Sequence, residues 1–157
     1  MFDLGVVRRV TVHDLDKIVE IERKCFEKEI AYTRDQLKYL ITRAKSNCFA
    51  EVTEDTLRGF IILVHRQGTD VAAIETLNVD PTFHGHGIGR KLLNAAEQNI
   101  FQQGIKKIRL EVSMGNHPAI RLYEKSGFRI IEILKDFYNH NHHGTRDAYR
   151  MVKDLTT

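Results

Sequence analysis

The stretch Leu77-Asn-Val-Asp-Pro-Thr-Phe-His-Gly-His-Gly-Ile-Gly-Arg90 decides how this chain is read. A strand ends near Val79, Asp80-Pro81 turns the chain, and Gly85, Gly87 and Gly89 alternate into the start of a helix. Glycine lets a backbone approach a ligand closely. The first turn of a helix presents unpaired N–H groups and the positive end of its dipole. Together they make a phosphate cradle. The spacing is not the dinucleotide fingerprint G-x-G-x-x-G, whose last glycine, counted from Gly85, falls on Arg90. The P-loop pattern G-x-x-x-x-G-K-[ST] fails at the same position. Taken alone, the three glycines are equally compatible with a structural turn.

Outward from this stretch the chain alternates strand and helix signals. Val71–Val79 reads as the strand leading in, and a helix runs from about Gly87 to Gln103 with Gly104 at its C-cap. Lys107–Ser113 is a strand with Ile108, Leu110 and Val112 alternating. Pro118 sits in the first turn of a short helix that Gly127 ends, and Phe128–Leu134 and Ala148–Lys153 are closing strands. Upstream, Val6–Val10 reads as a first strand. Thr11-Val-His-Asp14 has capping-box spacing and opens an amphipathic helix through Leu15, Ile18, Val19, Glu22 and Phe26. Glu27–Tyr32 is a loop, and Thr33-x-x-Gln36 opens a second helix carrying Leu37, Leu40 and Ile41. Cys48–Val52 and Gly59–His65 are further strands. The order β-α-α-β-β-β-α-β-α-β-β predicts an α/β fold, a mixed central sheet flanked by helices, in a single domain over residues 1–157.

The 157 residues are 42% hydrophobic and 29% charged, the balance of a globular protein. The longest apolar run, Phe60–Val64, is far short of the ~20 residues a transmembrane helix needs. Met1–Val10 mixes acid and base without a long apolar stretch and does not read as a secretory signal. A net charge of +3 permits an anionic ligand but is not the footprint of a dedicated nucleic-acid binder. Cys25 and Cys48 lie in no metal or redox spacing, so a reducing cytoplasm is expected.

With these elements placed, the chain resembles the GNAT family of acetyl-CoA-dependent N-acetyltransferases. The family signature [RQ]-x-x-G-x-[GA] reads here as His84-Gly-His-Gly87-Ile-Gly89, with His84 where Arg or Gln is usual. A second signature, N-x-x-A-x-x-L-Y-x-x-x-G-F, matches Asn116-His-Pro-Ala-Ile-Arg-Leu-Tyr123-Glu-Lys-Ser-Gly127-Phe128. Leu110-Glu111-Val112, Tyr32-Thr33 and the ending Asp147-Ala-Tyr-Arg-Met151 resemble the N-terminal acetyltransferases of the ribosomal-protein-alanine type and their archaeal relatives.

The resemblance implies acetyl-CoA as co-substrate. It would be held by Leu77, Asn78, Val79, His84, Gly85, His86, Gly87, Ile88, Gly89 and Arg90, and by Asn116, Ala119 and Tyr123. A backbone N–H near Leu77–Val79, where the family's strand bulges and splays, would hold the thioester oxygen. Tyr123 would stand near the sulfur as acid or donor, and otherwise is a core tyrosine. Asn116 would cap its helix and touch the pantetheine arm, or cap alone. Glu111 would be the base, as in the nearest family group, with Glu75 as its rival. Glu111 could also be a solvent-facing strand residue in register with Arg109 and Ser113. Tyr32 and Tyr138 would close over the acceptor, or are surface aromatics. His140, His142 and His143 sit in a polar loop without metal-site spacing, so no metal is expected and a mobile substrate-side loop is.

The leading expectation is acetylation of protein N-termini by direct attack in a ternary complex. An α-amine of pKa about 8 is roughly a tenth neutral at pH 7, against well under a thousandth for lysine. Lysine or small-amine acetylation is the runner-up. An acyl-CoA-binding module without catalysis and an RNA-binding module are the remaining classes. Expected partners are a protein or peptide N-terminus and a ribosome or auxiliary subunit, with no membrane and no sequence-specific nucleic acid.

Overall fold

The strand-forming runs pair into one seven-stranded sheet of order β1-β2-β3-β4-β5-β7-β6. The computed structural model describes residues 5–43 and 45–155; Met1–Leu4, the start of the segment read for a leader, lies outside them. The strands are β1 Val6–Arg9, β2 Ser46–Val52, β3 Leu57–His65, β4 Val71–Val79, β5 Lys107–Ser113, β6 Arg129–Leu134 and β7 Ala148–Asp154. The helices are α1 Leu15–Cys25, α2 Arg34–Thr42, α3 Ile88–Gln102 and α4 His117–Lys125. No helix among the described residues is long and apolar enough to cross a membrane.

Local chemistry sets the element ends. The Thr11/Asp14 capping box forms, but it opens a single 3₁₀ turn, Val12–Asp14, before α1 begins. The Thr33/Gln36 box caps α2 directly, with Gln36 N–H donating to Thr33 Oγ1 at 3.2 Å. Gly104 and Gly127 both adopt the left-handed backbone that ends α3 and α4.

The sheet separates two cores. On one face α3 and α4 pack Ile88, Leu92, Leu93, Ala96, Ile100, Ile120 and Tyr123 against Ile61, Leu63, Ile108 and Leu110. On the other, α1 and α2 pack Leu15, Ile18, Ile21 and Leu37 against Phe60 and Ile62.

A buried ion network ties the start of α3 to the sheet. Glu51 is fully buried and takes a bidentate grip from Arg58, with Nε at 2.8 Å, and a third bond from Lys91 Nζ at 3.0 Å. Burial alone would push this carboxyl up. The bonds from Arg58 and Lys91 outweigh it and hold the group below the usual carboxylate range. A depressed folded-state value gives stability that is present above the unfolded pKa and lost as pH falls through the folded one. Glu51→Gln is therefore expected to destabilise the protein by about 3–5 kcal/mol near neutral pH. In thermal melts its deficit against the wild type should shrink as pH drops below about 4. An equal deficit at both pH values would show that the charge of Glu51 is not what matters.

Candidate active site

The site is created by two backbone irregularities. β4 and β5 run parallel but pair only at Val71–Lys107, Ala72–Ile108 and Ala73–Arg109, then diverge. Just past that fork β4 carries a bulge: Thr76 lies opposite Ile62 and Ile74 opposite Leu63, so Glu75 is the extra residue. The bulge reverses which side chains face which core. Ala72 and Ile74 point to the α3 core before it, and Leu77 and Val79 do so after it. Thr76 and Asn78 turn to the α1 face, where both donate to Glu22. Asp80 N–H bonds Arg58 O on β3 at 2.8 Å. Backbone groups alternate along a strand, so the N–H groups of Leu77 and Val79 point away from β3, into the gap beside β5.

The gap continues into a cleft of about 770 Å³. The glycine loop forms one end. Gly85 and Gly87 have φ of 85° and 73°, and a Cβ on either would meet nothing within 4 Å. Their open faces look out from the N-terminus of α3, where Gly87 is the N-cap. Gly89 differs: a Cβ there would come within 3.2 Å of Leu122 on α4, so it is a packing glycine between two helices. Ile88, Gly89 and Arg90 also border the cleft, whereas His86 does not line it and stacks edge-on against Phe83. The His84 ring turns back, its Nε2 donating to Val79 O at 3.0 Å.

The α4 wall supplies Asn116, Ala119 and Tyr123. Asn116 Oδ1 accepts from Ala119 N–H at 3.3 Å, so that oxygen is used in capping. Tyr123 is only 7% exposed and packs edge-on to Phe128. Its hydroxyl takes no hydrogen bond among the described residues, and burial raises its pKa far above that of a free phenol.

Three carboxylates, Glu22, Glu75 and Glu111, line the cleft. Tyr32 Oη donates to Glu75 Oε2 at 2.7 Å, and its ionisation is pushed up by burial and by Glu75, Glu22 and Glu111. Tyr138 is pushed up to about 12 by burial and by Glu111 and Glu27. Both tyrosines line the same cleft as Glu111. Its Oε2 accepts from Arg150 Nε at 3.0 Å, while Oε1 has no partner among the described residues. The Cys25 thiol donates to Val79 O at 3.4 Å and is pushed up to about 11 by burial and by Glu22 and Asp80. A thiol held protonated is not a ready nucleophile.

Profile comparison decides the family: the acetyltransferase (GNAT) family matches residues 15–128. The chain belongs to that family. An uncharacterised N-acetyltransferase of Methanocaldococcus jannaschii is 29% identical over 141 residues, covering 82% of this chain and 62% of that protein. A Bacillus subtilis protein provisionally named a ribosomal protein bS18-alanine N-acetyltransferase is 28% identical over 140 residues, covering 87% of this chain and 89% of its own length. The GNAT fold is shared with the crystal structure of the ribosomal-protein-S18-alanine N-acetyltransferase of Escherichia coli. That likeness has a TM-score of 0.87 at 23% identity over 98% of this chain and 96% of the other.

Within this GNAT fold three features lay outside the sequence reading. Glu22, 1% exposed, accepts from Tyr32 N–H at 3.0 Å, Thr76 Oγ1 at 3.0 Å and Asn78 Nδ2 at 2.6 Å, and burial pushes its carboxyl up despite these bonds. Asn78 is thereby committed, its amide to Glu22 and its backbone to β3. The bulge lies at Glu75, upstream of the expected Leu77–Val79. His142, expected on a mobile loop, is 2% exposed: Nδ1 lies 2.6 Å from Glu27 Oε2 and its carbonyl accepts from Ser113 Oγ at 2.6 Å. This bridge joins the β6–β7 loop to the α1–α2 loop at the cleft, which His142 and Phe26 line. No group of three or more His, Cys, Asp or Glu among the described residues is arranged to hold a metal ion.

Proposed function

We propose that this GNAT protein transfers the acetyl group of acetyl-CoA to the N-terminal α-amine of a protein or peptide, in the cytoplasm, by direct attack in a ternary complex. The observation that carries the reading is the fork between β4 and β5. It aims the Leu77 and Val79 N–H groups into one cleft with the glycine loop at one end and Glu75, Glu111 and Tyr123 around the middle. Bound acetyl-CoA supplies an activated acyl thioester. The open left-handed glycines and the free N–H groups of α3 suit its pyrophosphate, Arg90 adds a cation, and the α4 wall lies along the arm between.

Each residue then has one task. Leu77 or Val79 N–H donates to the acyl oxygen, where negative charge builds. Glu111 takes the proton that the attacking amine must lose, directly or through a water, as the C–N bond forms. Tyr123 gives its hydroxyl proton, or a hydrogen bond, to the sulfur as the C–S bond breaks. Tyr32 and Tyr138 line the acceptor path. The relative named for a ribosomal protein alanine supports an α-amine acceptor, with a ribosome or auxiliary subunit as the setting.

A mass-spectrometric acetylation assay on peptides with free or blocked N-termini tests this. Acetyl groups should appear on free α-amines only; modification confined to lysine or to small amines would overturn the acceptor. The cofactor placement has its own check. Gly87→Val puts a β-branched residue where φ is 73°, a strain of about 1–2 kcal/mol, and sets its side chain toward the pyrophosphate. Calorimetry should show acetyl-CoA affinity falling at least about tenfold, or ~1.4 kcal/mol. An unchanged Kd in a folded variant would move the cofactor elsewhere.

A further inference from the structure

We infer that Arg150, backed by Arg109, is a positioning residue that holds Glu111 in the geometry of a proton acceptor; the inference rests on the proposed role of Glu111. Three strands place it. Arg150 on β7 is the register partner of Glu111 on β5 and of Glu132 on β6. Its guanidinium reaches both neighbours, with Nε 3.0 Å from Glu111 Oε2 and Nη1 3.0 Å from Glu132 Oε1. The second contact depends on a bulge, because β6 skips Ile131 so that Glu132 follows Ile130 in the ladder. Without that extra residue the apolar Ile131 would face Arg150 instead. Arg150 is thus gripped from both sides and cannot swing freely. Arg109, two residues before Glu111 on the same strand face, brings its buried Nε to 3.4 Å from the same Oε2.

Both arginines meet Glu111 at one oxygen. Oε2 is fixed by a charge-assisted bond, and Oε1 is left without a protein partner on a residue that lines the cleft. A carboxylate held by one oxygen presents the other from a constant direction, which is what proton abstraction from a docked amine requires.

Steady-state kinetics on the full chain test the inference, with acetyl-CoA and a free-amine peptide. Arg150→Gln should lower kcat about tenfold, within the range of couplings between contacting residues, and leave KM for both substrates near wild type. Arg150→Lys, which keeps one charged donor, should recover part of the loss. In a Glu111→Gln background Arg150→Gln should cause no further loss. If Arg150→Gln fails to fold, Arg150→Met, which keeps the apolar stem, takes its place. The inference is overturned if Glu111→Gln is crippled while Arg150→Gln turns over within about twofold of wild type. It is equally overturned if the Arg150→Gln loss persists undiminished in the Glu111→Gln background. A near-normal Glu111→Gln protein would instead overturn the role of Glu111 itself, and the inference with it.

Discussion

Glu111→Gln is expected to lower kcat/KM by about 10²–10⁴-fold, the usual range for losing a general base. The substitution keeps the shape of a side chain that already lies beyond the fork between β4 and β5, so the cleft should survive it. The residual rate should climb with pH, because more of the α-amine then arrives already neutral. Glu75→Gln is the paired control. Glu75 sits on the bulge and accepts from the Tyr32 hydroxyl, so its loss should act mainly on how the acceptor loop is held. If Glu75→Gln is the crippled variant and Glu111→Gln turns over normally, the base sits on the other strand. If both are near normal, the amine enters deprotonated and the protein works by positioning.

Tyr123→Phe should lower kcat on the order of 10²-fold with little change in KM, since the hydroxyl matters most as charge develops on sulfur. The test is clean because this hydroxyl has no partner among the described residues. Phenylalanine therefore leaves no buried protein group unsatisfied, and the ring keeps its edge contact with Phe128. Burial holds the phenol protonated throughout the working range, so the wild-type donor is present at every pH assayed. Turnover within about threefold of wild type would reduce Tyr123 to packing.

The elements themselves were legible, and the reasons are local. The Thr33/Gln36 box, the apolar alternation of Lys107–Ser113 and the glycine ends of α3 and α4 all act within a few residues. Glu22 carried a signal that went unused: a carboxylate among the apolar positions of α1, in step with Ile18 and Phe26. A charge on a buried stripe asks for partners, and Thr76 and Asn78 supply them from a distant strand. The Glu75 bulge had a fainter mark: the apolar phase steps from Ala72 and Ile74 to Leu77 and Val79, with polar Thr76 and Asn78 taking the other face. The His142–Glu27 bridge and the Glu111–Arg150–Glu132 row depend on register between segments far apart in sequence. His142 accordingly read as one more polar loop residue until the fold set it beside Phe26 and Glu27.

The three-pair seam between β4 and β5 has a thermodynamic corollary. Below the fork the two halves of the sheet share no ladder, and the amide protons of Leu77 and Val79 have no strand beside them to slow their exchange with solvent. A molecule seated there takes the place of the missing rungs, so ligand binding and cohesion of the fold draw on the same free energy. By mass action, a ligand at a hundredfold excess over its Kd adds about 2.7 kcal/mol to stability. In this architecture that increment falls on the three-pair seam of the sheet, so an acyl donor held as proposed would act as a removable eighth strand.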